Sequence, residues 1–165
     1  MKTPHELKRL FYEKEFIGEV LRSSTLLESE LDVLLCHFFC RKIRVKDALD
    51  KLMPEVSFNT KIELLAALPI RKKTKSYSVA IGRLRAFRRL RNLVAHQWTT
   101  TALEVEKLCK NQEIAKMLDG YPDAMKDEFR NCRQALCRLV RTREFRLEDG
   151  TSIDSFTLSF DKIFG

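Results

Sequence analysis

Glycine and proline are scarce, five and four in 165 residues, too few for the turn-dense chain of a β-sandwich or for a low-complexity linker. Long apolar runs are missing too. The densest, LDVLLCHFF at 31–39, is well short of the roughly 20 residues that cross a bilayer. The opening MKTPHELKRLFYEKEF lacks the apolar centre of a secretory signal. These absences predict a cytoplasmic protein with no membrane segment. There is no glycine-rich phosphate loop and no internal repeat, which excludes a P-loop or dinucleotide fingerprint and a solenoid. The cysteines, Cys36, Cys40, Cys109, Cys132 and Cys137, are odd in number, so no disulfide framework is expected. Cys36, His37 and Cys40 lie close together in CHFFC, but zinc usually takes four ligands and no second pair accompanies them. The expectation is mostly buried thiols, with no metal and no cofactor.

What is present suits a helical globule. Hydrophobic residues make up 44% and charged residues 33%, with a net charge of +8. This length fits one domain with a sizeable core, and the basic balance favours an anionic partner such as nucleic acid. The fold class expected is all-α: a helical bundle over 1–142, then a C-terminal extension, 143–165, in which Asp149-Gly150 between β-prone flanks would turn a small hairpin.

Start and stop signals place the helices. Thr3, Pro4 and Glu6 form a capping-box opening. Leu7, Leu10, Phe11, Ile17, Val20, Leu21, Leu26, Leu31, Leu34, Leu35 and Phe38 recur at helical intervals, giving one long helix or two collinear ones, with a break at RSST if there is one. A short helix follows over VKDALDKLM, stopped by Pro54, and another starts near Ser57 or Asn59 and ends before Pro69. RKKTK connects it to a helix from about Ser76 to Gln97. A short helix around NQEIAKML and an amphipathic one after Pro122 complete the set.

The helix over 76–97 carries the chemistry. Its stretch RRLRNLVAHQ holds one of three histidines among arginines, and no Asp or Glu occurs from Ser76 to His96. At about 100° per residue with Arg91 at zero, Val79, Ala86, Phe87, Leu90, Leu93 and Val94 fall in a sector from about 200° to 320°. Arg85, Arg88, Arg89, Asn92 and His96 fall between about 60° and 160°. One side should face the core and the other should be cationic. A solvated outer face would ordinarily mix in acids that relieve repulsion. A phosphodiester gives the cationic side a use, because arginines bind its oxygens and stabilise the charge of a pentacovalent transition state. Neighbouring guanidinium groups disfavour a second positive charge on His96, leaving the ring to accept a proton from a ribose 2′-hydroxyl.

Arg91 to His96, RNLVAH, resembles the R-x4-6-H signature of the HEPN superfamily. The order of elements, with LLESELDVLL and FNTKIELLAAL ahead of the motif helix, is similar to families near the mannitol-operon repressors. The resemblance covers roughly residues 10–98. It implies a helical bundle that dimerises so that two motif helices meet, and a metal-independent endoribonuclease of toxin or antiviral type. Arg91 would bind the scissile phosphate, Asn92 would orient it or the histidine, and His96 would be general acid or base. Arg85, Arg88 and Arg89 would bind RNA, and an antitoxin or other regulatory protein would be a partner. Toxins paired with a minimal nucleotidyltransferase carry a tyrosine two residues after the histidine. Here HQW places Trp98 there, which removes that acceptor. Other members of the superfamily are non-catalytic regulators or adaptors, so a binding role is the alternative. A plain basic nucleic-acid-binding domain is a third.

Remaining residues receive plainer readings. Glu28, Glu30, Asp32 and Glu63 could neutralise the motif arginines but are expected to be surface carboxylates. Tyr77 and Trp98 could stack on a base but are expected to pack. His5 and His37 have no assigned role. RKKTK and RLVRTREFR could extend a phosphate track.

Overall fold

A computed structural model describes residues 3–39, 45–68, 75–96 and 101–141. Among the described residues the fold is all-α, and no strand occurs. The helices are α1 (Pro4–Leu10), α2 (Lys14–Phe39), α3 (Val45–Asp47), α4 (Phe58–Ala67), α5 (Lys75–Ala95), α6 (Ala102–Cys109), α7 (Gln112–Asp119) and α8 (Asp123–Arg141). None of them is long and apolar enough to cross a membrane. The hairpin expected around Asp149-Gly150 lies outside the described residues, as do Gln97 and Trp98.

Two compact units are distinguished by which backbone segments lie close together in space. One comprises Met1–Ser29 with Gly82–Cys132, the other Glu30–Ile81 with the chain from Arg133 onward. In the first unit α1 lies against α6, and Phe11, Phe16, Val20, Phe87, Leu90 and Val105 have no exposed surface. In the second, Leu31, Leu35, Ile62 and Leu65 are likewise fully covered, and the buried Tyr77 donates its hydroxyl to the Leu65 carbonyl. Burial pushes that hydroxyl up to about 12.

The break in the N-terminal helical stretch falls at Phe11–Glu13, while α2 runs uninterrupted through RSST. The cause is geometric. On one continuous helix Phe11 and Phe16 would point about 140° apart and could not enter one core. A turn closed by Phe11 N–H to Lys8 O and Tyr12 N–H to Arg9 O lets the two rings meet edge to face at 5.2 Å. Phe16 also meets Tyr121 at 5.1 Å. Of the apolar residues that recur at helical intervals, Leu21 and Leu26 are 40% and 39% exposed, whereas Leu27 is fully buried.

Local signals account for the starts of α1, α4, α6 and α7. The Thr3 capping box forms with both of its bonds, and Ser57, rather than Asn59, caps α4 by accepting from Thr60 N–H at 3.1 Å. Pro54 does not end a plain helix. Val45–Asp47 leads into a π-helical turn over Ala48–Leu52 and then a 3-10 turn over Met53–Glu55, where proline sits in the first turn. Between residues 101 and 119 there are two helices, not one. Thr101 and Glu104 build a second capping box at α6, and Asn111 caps α7. The carboxyls of Glu6 and Glu104 are held below their usual range, chiefly by the amides of Thr3 and Thr101.

Gly120 ends α7, its N–H donating to Lys116 O at 3.1 Å. A Cβ there would lie 2.7 Å from the Cβ of Ala124, closer than real contacts allow. Gly120→Ala is therefore expected to destabilise the protein by about 1–3 kcal/mol, read as an earlier urea midpoint with unchanged slope.

Candidate nucleic-acid interface

α5 is the helix on which the candidate site stands, and its buried stripe is not straight. In its second half Ala86, Phe87, Leu90 and Val94 are buried, matching the sector at about 200° to 320°, with Val79 and Leu93 only half-buried. In the first half the buried residues are Tyr77, Ala80, Ile81 and Leu84, at about 340° to 80° on the same wheel. The stripe turns around the helix between Leu84 and Ala86. The cationic side keeps its place. Arg85, Arg89, Asn92 and His96 are exposed, and Arg88 and Arg91 are half-buried.

His96 follows the last residue of α5, its backbone N–H shared between Asn92 O at 3.1 Å and Leu93 O at 3.2 Å. Such a shared bond is typical of a helix end. Asn92 and His96 are thus joined through the backbone and lie one turn apart on the exposed side, with Arg85, Arg88 and Arg89 on the preceding turns.

Arg91 is set apart from this group. Its Nη1 donates to Glu28 Oε2 on α2, and the two side chains are 36% and 18% exposed. One turn earlier the fully buried Ser24 donates its hydroxyl to Phe87 O at 3.4 Å. Both contacts join residues 63 apart in sequence, so here α2 and α5 run in the same direction, in register. The small Ser24 allows the close approach that brings Glu28 to Arg91.

The acids missing from α5 are supplied by other helices. Arg83 lies at about 280° on the wheel, inside the sector otherwise assigned to the core. It is accommodated there by Glu128 of α8, whose Oε2 accepts from Arg83 Nε at 2.6 Å and whose Oε1 accepts from Lys116 Nζ at 2.9 Å. Burial raises the Glu128 carboxyl, but the hydrogen bonds and charges of Lys116 and Arg83 outweigh this and leave it below its usual range. Glu113 of α7 faces Gly82. Its carboxyl is raised by burial and by the Glu128 charge against the opposing pull of Arg83.

The expectation that Glu28, Glu30 and Asp32 are surface carboxylates is therefore corrected. Glu28 holds Arg91, Asp32 holds the buried Lys61 at 2.9 Å, and Glu30, itself buried, accepts from Arg133 Nε. Burial raises the Glu30 carboxyl, opposed by the Arg133 hydrogen bond and charge. Glu63 is exposed, as expected. Tyr77 packs in the interior. Cys36 and Cys132 are buried, whereas Cys109 and Cys137 are half-buried. Among the described residues no group of three or more His, Cys, Asp or Glu is placed to hold a metal ion.

No family model matches this chain, and no curated protein or solved structure matches it either.

Proposed function

We propose that the protein is a metal-independent endoribonuclease that cleaves RNA by 2′-hydroxyl attack at a site formed by two copies of α5. The observation that carries this reading is the exposure of Arg85, Arg89, Asn92 and His96 on one side of a helix that has no carboxylate of its own. Arginines there meet phosphate oxygens through charge-assisted hydrogen bonds. The His96 imidazole takes the 2′-hydroxyl proton as the 2′-oxygen bonds to phosphorus, and Arg91 stabilises the added negative charge. The bond from phosphorus to the 5′-oxygen breaks, and the imidazolium formed on His96 returns the proton it took to that oxygen. The products are a 2′,3′-cyclic phosphate and a 5′-hydroxyl. Arg91 and His96 diverge by about 140° on one helix, so convergence on a single phosphate calls for a symmetric dimer.

The resemblance of RNLVAH to the HEPN signature supports the same chemistry and suggests a cytoplasmic toxin or antiviral nuclease, restrained by an antitoxin or other regulatory protein. The test is incubation with a mixed RNA pool in EDTA. Wild type is expected to shorten the RNA, and Arg91→Ala to leave it intact.

A non-catalytic HEPN-like regulator or adaptor is the second reading. It is favoured by the Arg91–Glu28 ion pair, which gives the motif arginine a packing role between α2 and α5. RNA binding without cleavage by wild type, together with a loss of stability in Arg91→Ala, selects it.

Both readings use the exposed arginines as phosphate contacts. Replacing Arg85 and Arg89 together by alanine is expected to weaken RNA binding about tenfold or more at low salt. It should also flatten the slope of log K against log salt by about 1, similarly for unrelated sequences. Fluorescence anisotropy titrations at several salt concentrations measure both quantities. An unchanged slope would place the phosphate track elsewhere.

A further inference from the structure

From the Glu28–Arg91 contact we infer that Glu28 is the positioning residue of the phosphate-binding arginine, fixing the direction of its guanidinium while weakening its hold on an anion. The inference rests on the reading of Arg91 as a phosphate-binding group. Glu28 presents a carboxylate oxygen to Nη1, the same kind of partner that a phosphate oxygen would be. The pair is half-buried, with Glu28 the more covered member, so solvent screens its attraction only in part. A phosphate meeting Arg91 finds a negative charge already beside it and pays part of its attraction to that repulsion. In return the guanidinium is held at one place, one turn beyond the Ser24–Phe87 contact that sets the register of α2 against α5.

Charge and direction are separable by substitution. Glu28→Gln removes the negative charge but keeps an oxygen that accepts from Nη1. Glu28→Ala removes both. A residue with only a packing role would lose binding and cleavage together when replaced. A positioning carboxylate moves them in opposite directions.

The experiment compares wild type, Glu28→Gln, Glu28→Ala, Arg91→Ala and the Glu28→Gln/Arg91→Ala double variant. Affinity is measured on a single-stranded RNA 2′-O-methylated throughout, which lacks the nucleophile, and single-turnover cleavage on the same RNA unmodified. Circular dichroism and urea midpoints check folding. Both Glu28 variants are expected to bind about 3–10-fold more tightly. Glu28→Gln should retain most of the cleavage rate, and Glu28→Ala should lose about tenfold or more. In the Arg91→Ala background the tightening should disappear. Unchanged or weaker binding by Glu28→Gln, equal tightening without Arg91, or full-rate cleavage by folded Glu28→Ala overturns the assignment. If wild type does not cut RNA, the ribonuclease reading fails alone, because the binding comparison still decides whether Glu28 tunes Arg91.

Discussion

Replacing His96 with alanine is expected to slow RNA cleavage by about 10²–10⁴-fold, the range typical of a positioned general acid or base, with the fold and RNA affinity nearly unchanged. His96 is exposed and lies just beyond the end of α5. Its backbone N–H is shared between Asn92 O and Leu93 O, and alanine retains that bond. Exposed substitutions of this kind usually change stability by less than about 0.5 kcal/mol. The phosphate contacts assigned to Arg85, Arg88 and Arg89 lie on earlier turns and remain. A time course on end-labelled RNA, with anisotropy and circular dichroism on the same preparations, separates the three effects. Cleavage at the wild-type rate removes His96 from the chemistry. Joint loss of binding and helix content would assign it a structural role instead.

The second large effect concerns stability. Glu128→Ala is expected to cost about 2–4 kcal/mol at neutral pH. Glu128 and Arg83 have side-chain exposures of 5% and 20%, so removing the carboxylate takes its hydrogen-bonded partner from a mostly buried guanidinium. Lys116, at 67% exposed, is well solvated and adds little. Glu113, whose charge also acts on Arg83, offsets part of the loss. The pH dependence follows from the direction of the Glu128 shift. A carboxyl whose folded-state value lies below its unfolded value contributes stability above the unfolded value of about 4.3 and loses it as pH falls through the folded one. The difference between wild type and Glu128→Gln in urea unfolding should therefore be full at pH 7 and close progressively below about pH 4. Glu30 has the opposite sign. Its raised carboxyl favours the folded state most below the unfolded value, and that contribution disappears as pH rises through the folded value. Comparing variants at each pH cancels the Glu30 contribution, which wild-type data alone would mix in. A Glu128→Ala protein as stable as wild type, or a difference unchanged at low pH, would contradict the account of this network.

Legibility in the sequence divides along the distance over which each cause acts. Helix starts depend on residues three apart, so Thr3 with Glu6 and the serine before FNTK can be read directly. Thr101 and Glu104 carry the same signature, and α6 was open to the same reading. The break after Leu10 is less accessible, because it depends on two rings, Phe11 and Phe16, being drawn into one core rather than on any breaker residue. The rotation of the buried stripe along α5 has no local cause. A single wheel averages its two halves, and it omits Tyr77, Ala80, Ile81 and Leu84 while correctly separating Phe87 and Leu90 from Arg85 and Arg89.

The ion pairs show the same limit. That α5 lacks acids is visible in its sequence. That Arg91 finds Glu28, 63 residues earlier, and Arg83 finds Glu128, 45 residues later, is not, since amphipathic pattern identifies a face but not the helix opposite it. Arg83 could have been noticed as a cation inside an apolar sector, which calls for a buried carboxylate partner. The cationic side itself, Arg85, Arg89, Asn92 and His96, was fully legible because exposure on a long helix follows from its period.

The most direct measurement is the chemistry of the RNA ends left by purified wild-type protein in EDTA. Fragments ending in 2′,3′-cyclic phosphate with matching 5′-hydroxyl ends are expected, formed about 10²–10⁴-fold more slowly by His96→Ala. Intact RNA, or fragments carrying 3′-hydroxyl and 5′-phosphate ends, would contradict cleavage by 2′-hydroxyl attack.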